Sequence, residues 1–382
     1  LTPVQADAIL DLRLQRLTNL EQLEIERECR DTEKRIKQLK AILGSKAKLD
    51  KLIIDELTEI RSIIDSERRT QLIDVDEIAA DDEEAVTIAE PMCLMLLADN
   101  KLRRLQPKYA TEEFIAQEKP IRIFNTYTDK VLRLFTSKGA LLSIPMGDIP
   151  ESKVGQKPTN LSAIIELEKD ETMLAAFEED FSSGKLFFYT QNGLVKCTEA
   201  SEYVTRVKRI AATNIKDGDT LIAVELCRDD SDAIMLMTAM GMSIRFNSSE
   251  VPVTGRNSAG VKGIKLDTGN TVIFAGHIPE EGEILTVTDR GYMKRSFVFD
   301  HEIQGRNGKG LQCFGFKKNG SNGTRVVAAV HITVPENLVA VQLHGDESRF
   351  NTEEVHIEPR TGKGQPMVMV LMDNVVVKLV RE

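Results

Sequence analysis

The stretch AIMLMTAMGMSIRFNSSEV, residues 233–251, recurs 104 positions later, and this recurrence limits the fold more than any composition figure. Gly241 meets Gly345, Arg245-Phe246-Asn247 meets Arg349-Phe350-Asn351, and further on Arg256 falls on Arg360 and Gly260 on Gly364. Between these copies, at an offset of 50, Thr238, Gly241, Arg245, Arg256 and Gly260 fall on Thr288, Gly291, Arg295, Arg306 and Gly310. Looser copies carry Thr136…Gly139 and Thr190…Gly193 inside alternating apolar hairpins, and a further hairpin from Cys93 has lost both the Thr and the Gly. Six units result, starting near residues 91, 129, 171, 229, 281 and 336. Units of about fifty residues, each with strand pairs and turn glycines, predict an all-β, six-bladed β-propeller over 91–382.

Residues 1–73 read as helix. Thr2-Pro3-Val4-Gln5 and Thr18-Asn19-Leu20-Glu21 form capping boxes. Apolar residues recur at gaps of three and four from Ile36 to Leu43 and, after Gly44-Ser45, from Leu49 to Ile64. A helical bundle and a coiled-coil arm or dimer contact both suit this stripe. Residues 74–90, DVDEIAADDEEAVTIAE, are expected to be an acidic linker.

No apolar run approaches a membrane span, and the chain opens on Leu1 within a helical pattern without a secretory signal, as a fragment would. Five cysteines, odd in number and without a C-x-x-C pair, suit a reducing cytoplasm and predict neither disulfides nor a zinc site. The five histidines lack metal-ligand spacing, and no elbow or acid–base pair marks a catalytic centre. Met235, Met237, Met240 and Met242 read as core filler.

The net charge of -10 is uneven: residues 1–90 carry -8, leaving -2 for 91–382. A balanced domain binds a polyanion if its cations share one face. The repeat sets equivalent positions on one rim of a ring, giving a candidate belt of Arg103, Arg104, Lys108, Arg245, Arg256, Lys262, Lys265, Lys294, Arg295, Arg306, Lys309, Arg349, Arg360 and Lys363. Guanidinium groups beside glycine amides suit phosphate, and a curved belt of them suits a bent duplex held by its backbone. With no Trp and five Tyr, stacking on single strands is the weaker form of the idea. The competing readings are strand-end charges that protect sheet edges, and a propeller that acts as a protein-interaction scaffold.

The motifs QADAILDLRLQRLTNLE (5–21), GRNSAGVKGIKL (255–266) and GYMKR…QGRNGKG (291–310) resemble those of the A subunit of bacterial type IIA topoisomerases, gyrase and topoisomerase IV, and the resemblance covers essentially the whole chain. It implies the end of the dimer-gate arm followed by a propeller whose basic perimeter binds and bends duplex DNA. It also implies an A-subunit homodimer, an ATP-hydrolysing B subunit in an A2B2 complex, and magnesium in the full enzyme, with the cleavage tyrosine in an upstream domain. None of Tyr109, Tyr127, Tyr189, Tyr203 and Tyr292 is assigned that role. Gyrase carries a Gln-Arg-Arg-Gly-Gly-Lys/Arg-Gly box in its first blade, where this chain reads LRRLQPKYATEEF (102–114) without glycine. QGRNGKG (304–310) resembles the box but lies in the fifth blade. That departure favours topoisomerase IV, acting in decatenation and relaxation, whereas the arm sequence looks gyrase-like.

Overall fold

The computed structural model describes residues 2–10, 19–63, 89–153, 155–178, 181–228 and 232–381. The chain divides into two compact units, Leu1–Ala85 and Val86–Glu382. The acidic stretch at 74–90 falls almost wholly outside the described residues, as does Thr18 of the second capping box.

In the first unit, α1 (Pro3–Leu10) starts at a formed capping box: Gln5 N donates to Thr2 Oγ1 at 3.3 Å and Thr2 N donates to Gln5 Oε1 at 3.0 Å. The helices α2 (Asn19–Leu43) and α3 (Lys46–Ile63) pack together about the break at Gly44-Ser45. Nothing in α3 is buried, and Ile36, Leu39, Leu49, Leu52, Ile53 and Leu57 stay exposed, so the single chain leaves the apolar stripe uncovered.

The second unit is a six-bladed propeller of six antiparallel sheets. Blade 4 gives the plan. Its hairpin, Ala233–Thr238 and Met242–Asn247, closes at a turn where Gly241 N donates to Thr238 O at 3.0 Å. Gly241 takes φ +72°, a region that favours glycine. The buried Thr238 hydroxyl accepts Met242 N at 3.2 Å. Thr136, Thr190 and Thr288 cap their turns in the same way, which is why T-x-x-G recurs. In blade 1, Asp99 and Asn100, at φ 58° and 57°, turn the chain without the Thr or Gly.

In blades 2–6 a 3-10 turn after the second strand leads into a loop that crosses to the preceding blade and lends it a strand of two or three residues. In blade 4 this is Val261–Lys262, which pairs with Leu194 and Val195 of blade 3. The chain then returns as the inner strand Val272–Ile278 of its own blade. Thr159–Asn160, Arg209–Ala211, Leu311–Gln312 and Gln365–Pro366 are lent likewise by blades 2, 3, 5 and 6. The inner strands of successive blades touch one another, so the lent strands at the opposite sheet edges mark the perimeter.

Blade 1 departs from the plan. In place of the crossing loop it has a 3-10 turn, Pro107–Tyr109, and α4 (Glu112–Glu118), and among the described residues blade 6 receives no lent strand and keeps three. An exposed ion pair, Lys119 Nζ to Glu347 Oε2 at 3.5 Å, links blade 1 to blade 6.

The apolar core lies between neighbouring sheets. Met92, Leu94, Leu132 and Leu134 join blades 1 and 2, and Phe187, Tyr189, Ile234 and Phe246 join blades 3 and 4. Two expectations need correction. The third unit begins at Lys185, because residues near 171 lead into Met173–Phe177, the inner strand of blade 2. Met235 and Met237 are core residues, but Met240 is exposed at the hairpin turn.

Candidate nucleic-acid interface

The fourteen cations read from the repeat separate into three groups once the blades are in place. Arg103, Arg245 and Lys294 are buried, and Arg104, Arg256, Arg295, Arg306 and Arg360 are half-buried. Lys108, Lys262, Lys265, Lys309, Arg349 and Lys363 are exposed.

In two blades the first arginine of the repeat ties its blade to the next. Arg104 Nη1 donates to Gly147 O at 3.0 Å and Ile149 O at 2.8 Å in blade 2. Arg295 Nε donates to Val355 O at 2.7 Å in blade 6, and its Nη1 meets Glu283 Oε2 at 2.7 Å. Arg245, at the equivalent position, is 4% exposed and reaches Glu280 at 3.8 Å. Arg349 is the surface member and pairs with Glu347 at 3.3 Å.

The second arginine ties its loop to the preceding blade. Arg306 Nε donates to Glu250 O at 3.2 Å and its Nη1 to Lys262 O at 2.6 Å. Arg360 repeats this one blade on, with Nε to Asp300 O at 3.1 Å and Nη1 to Gln312 O. Main-chain amides of QGRNGKG serve the same joint: Arg306 N goes to Glu250 Oε2 at 2.9 Å and Asn307 N to Gly263 O at 2.8 Å. Gly310, at φ +76°, lies so close to the Ser243 main chain that a Cβ would collide with it. Arg104, Arg295, Arg306 and Arg360 thus direct guanidinium donors into the joints between blades, whereas Arg349 stays exposed.

Lys294 is also removed from the surface. It is fully buried in blade 5, with Nζ donating to Pro359 O at 3.0 Å and Arg360 O at 2.7 Å. Burial lowers its pKa to about 8. Lys196, at the same step after Thr190 as Lys294 after Thr288, does the same in blade 3 by donating to Ala212 O and Arg256 O, and burial also brings it to about 8. Arg103 is held inside blade 1 by Glu118 at 3.2 Å and lies over the Phe114 ring.

Charge at the perimeter is carried by the crossing loops. Segments 204–216, 254–266 and 304–318 hold eleven Lys and Arg and no Asp or Glu. Exposed there are Arg206, Lys208, Lys216, Lys262, Lys265, Lys309 and Lys318, while Arg209 is engaged by Glu168 and Glu171 at 3.2 and 3.0 Å. Lys153 and Lys157 in blade 2 and Lys363 in blade 6 extend the exposed set. Lys153, Lys157, Arg206, Lys208, Lys216 and Lys318 escape a reading by periodicity because they do not repeat at a fixed step. A count of charge by segment, which finds three acid-free stretches in a nearly balanced domain, is the signal that finds most of them. Blade 1 offers Lys108 and Lys119 beside Glu112, Glu113 and Glu118 and has no acid-free loop. The exposed cations thus follow one another along the crossing loops of blades 3–5, with Lys153, Lys157 and Lys363 to either side, an arc suited to a polyanion held by its backbone.

Residues 184–228, 232–278 and 282–322 match the family described as DNA gyrase C-terminal domain, beta-propeller, and the three segments begin at the hairpins of blades 3, 4 and 5. The A subunit of DNA gyrase from Staphylococcus epidermidis is 33% identical over 387 residues, covering 95% of this chain and 42% of that protein. Its counterpart from Lawsonia intracellularis is 31% identical over 384 residues (96% and 46%). The A subunit of DNA topoisomerase 4 from Bacillus subtilis is 30% identical over 373 residues (95% and 46%). The chain thus spans just under half the length of these relatives. Two solved structures share the fold: the C-terminal domain of DNA topoisomerase IV, with TM-score 0.69 and 22% identity over 77% of this chain and 94% of that one, and the DNA gyrase A C-terminal domain, with TM-score 0.57 and 20% identity over 76% and 99%. The chain belongs to the A subunits of the bacterial type IIA topoisomerases, gyrase and topoisomerase IV, and its ring is their C-terminal propeller domain.

Proposed function

We propose that the perimeter of blades 2–6 binds duplex DNA by its phosphates and bends it, so that the propeller presents a curved segment to a parent type IIA topoisomerase. The observation that carries this reading is the run of three acid-free crossing loops with eleven cations, seven of them exposed, in a domain whose net charge is only -2. The binding is electrostatic and independent of sequence, because the exposed set is mostly lysines on glycine-rich loops, which reach backbone phosphates as mobile point charges.

Within the family the reading favours topoisomerase IV, acting in decatenation and supercoil relaxation, over gyrase and its negative supercoiling. The supporting feature is blade 1, where α4 and its three glutamates stand in place of a basic crossing loop and interrupt the arc. An interrupted arc supports bending without a complete wrap. By the same family reading the chain works in the cytoplasm, associated with the nucleoid, and the parent is an A2B2 assembly. ATP binds the B subunit, and magnesium serves the upstream cleavage domain. The uncovered apolar stripe of α2 and α3 supports pairing of the helical unit with a second copy of this chain.

Ligation of short linear duplexes into circles in the presence of the chain tests the distinction. Bending with little change in linking number is the expected outcome, and a strong positive wrap would assign the chain to gyrase. Absence of any effect on circle formation or mobility would leave the scaffold reading in its place.

A further inference from the structure

Glu225 and Cys227 lie on the inner strand Leu221–Cys227 of blade 3, and His277 lies on the inner strand Val272–Ile278 of blade 4. Glu225 Oε2 lies 2.9 Å from His277 Nδ1 and also accepts the His277 main-chain N at 2.9 Å. Cys227 Sγ lies 3.3 Å from the same Nδ1. Ligand atoms of all three residues fall within 4.8 Å of one another, and they form the one such group found among the described residues. A tetrahedral ion with nitrogen, oxygen and sulfur ligands needs separations of roughly 3.3–3.6 Å, so the two contacts at His277 Nδ1 would open by less than about half an ångström.

The surroundings are those of a built site. The buried Tyr189 hydroxyl donates to Glu225 Oε2 at 3.0 Å, lies 3.0 Å from His277 Nδ1 as well, and so holds the carboxylate and the imidazole in place. Phe187 meets the His277 ring edge-on at 4.4 Å and fixes its plane. A cavity of about 510 Å³ is lined by Glu225, Cys227 and His277, with Arg122 and Phe177 across it. It offers an entry path and room for a water as fourth ligand.

We propose that Glu225, Cys227 and His277 form a binding site for one zinc-class divalent cation that ties blade 3 to blade 4 beside the propeller axis. One thiolate, one imidazole and one carboxylate suit zinc, whereas magnesium and calcium take sets of oxygen ligands. Binding requires the Cys227 thiol to lose its proton to solvent, so uptake strengthens as pH rises. The sequence carries no motif for this site because its ligands come from two blades fifty residues apart and meet only when the inner strands pack.

The test uses the full chain, stripped of metal with a chelator and kept reduced with a phosphine, titrated with Co²⁺ and then Zn²⁺. The expected result is one Co²⁺ per chain with a thiolate-to-cobalt charge-transfer band that Zn²⁺ abolishes and that Cys227→Ser lacks. Iodoacetamide labelling of the unaltered chain, read by peptide mass, needs no variant to fold: one equivalent of Zn²⁺ should slow Cys227 alkylation at least tenfold and leave the exposed Cys29 unaffected. No thiolate band in the folded chain, a band that survives Cys227→Ser, or equal Cys227 labelling with and without Zn²⁺ would each overturn the assignment.

Discussion

Acidification should loosen the propeller through His301, and replacing that residue should remove the effect. The imidazole is 2% exposed and joins two blades, with Nδ1 2.9 Å from Ser243 Oγ in blade 4 and Nε2 3.1 Å from Ser296 Oγ in blade 5. Burial, then the charges of Lys294, Arg360 and Arg245, lowers its pKa from 6.5 to about 3. The folded chain therefore keeps His301 neutral, while the unfolded chain takes up a proton below pH 6.5. The stability tied to this group is intact above that pH and is lost as pH falls toward 3. Between about pH 7.5 and 4.5 the loss comes to about 2 to 3 kcal/mol. Urea unfolding followed by tyrosine fluorescence measures it cleanly, because the chain has no Trp and its five tyrosines all lie between residues 109 and 292, within the propeller. Carboxylates titrate alike in the unaltered chain and in His301→Asn, so the quantity to read is the difference between their pH profiles. Parallel profiles would refute the argument that this imidazole is held neutral between the blades.

Two paired comparisons test the assignment of structural and surface roles. Arg306→Ala removes two guanidinium bonds to the preceding blade and should cost about 1–3 kcal/mol in urea unfolding, whereas the exposed Lys309→Ala should stay within about 0.5 kcal/mol. Equal losses would mean that the loop is not held by the arginine. Gly310→Ala combines a left-handed backbone with a Cβ pressed on the Ser243 main chain and should cost about 2–4 kcal/mol; Gly305→Ala, which meets nothing within 4 Å, should be near neutral. A tolerated Gly310→Ala would show that the loop can move off blade 4.

The propeller is legible in the sequence because each hairpin turn needs the same two residues for physical reasons: a glycine for positive φ, as at Gly241, and a threonine hydroxyl to cap the turn, as at Thr238. Where other residues meet those needs, as Asp99-Asn100 do in blade 1, the mark fades. Strand exchange is not legible, since the apolar pattern of a strand does not say which sheet it joins. Met173–Phe177 therefore reads as the opening of a unit to which it does not belong. The repeated arginines stand out in the sequence, but the repeat alone does not tell a joint between blades from a phosphate contact. A cation that recurs at a fixed step marks a recurring geometric demand, and here the demand is the joint between blades met by Arg295, Arg306 and Arg360. Surface cations such as Lys208 and Lys318 need only lie on the same loop, so they drift in position, and segment charge reveals them better than periodicity. His277 and Cys227 carry no spacing signal because they meet only through tertiary packing.

The salt dependence of duplex binding tests the central claim most directly. Affinity of the full chain for linear duplex DNA should fall linearly on a log–log plot against salt. Replacing Lys262, Lys265, Lys309 and Lys363 together by alanine should lower that slope by about 0.9 for each phosphate no longer neutralised, hence by up to about 3.6, while leaving the urea midpoint unchanged. An unaltered slope in a stably folded variant, or binding by the unaltered chain that ignores salt, would contradict a DNA-binding perimeter.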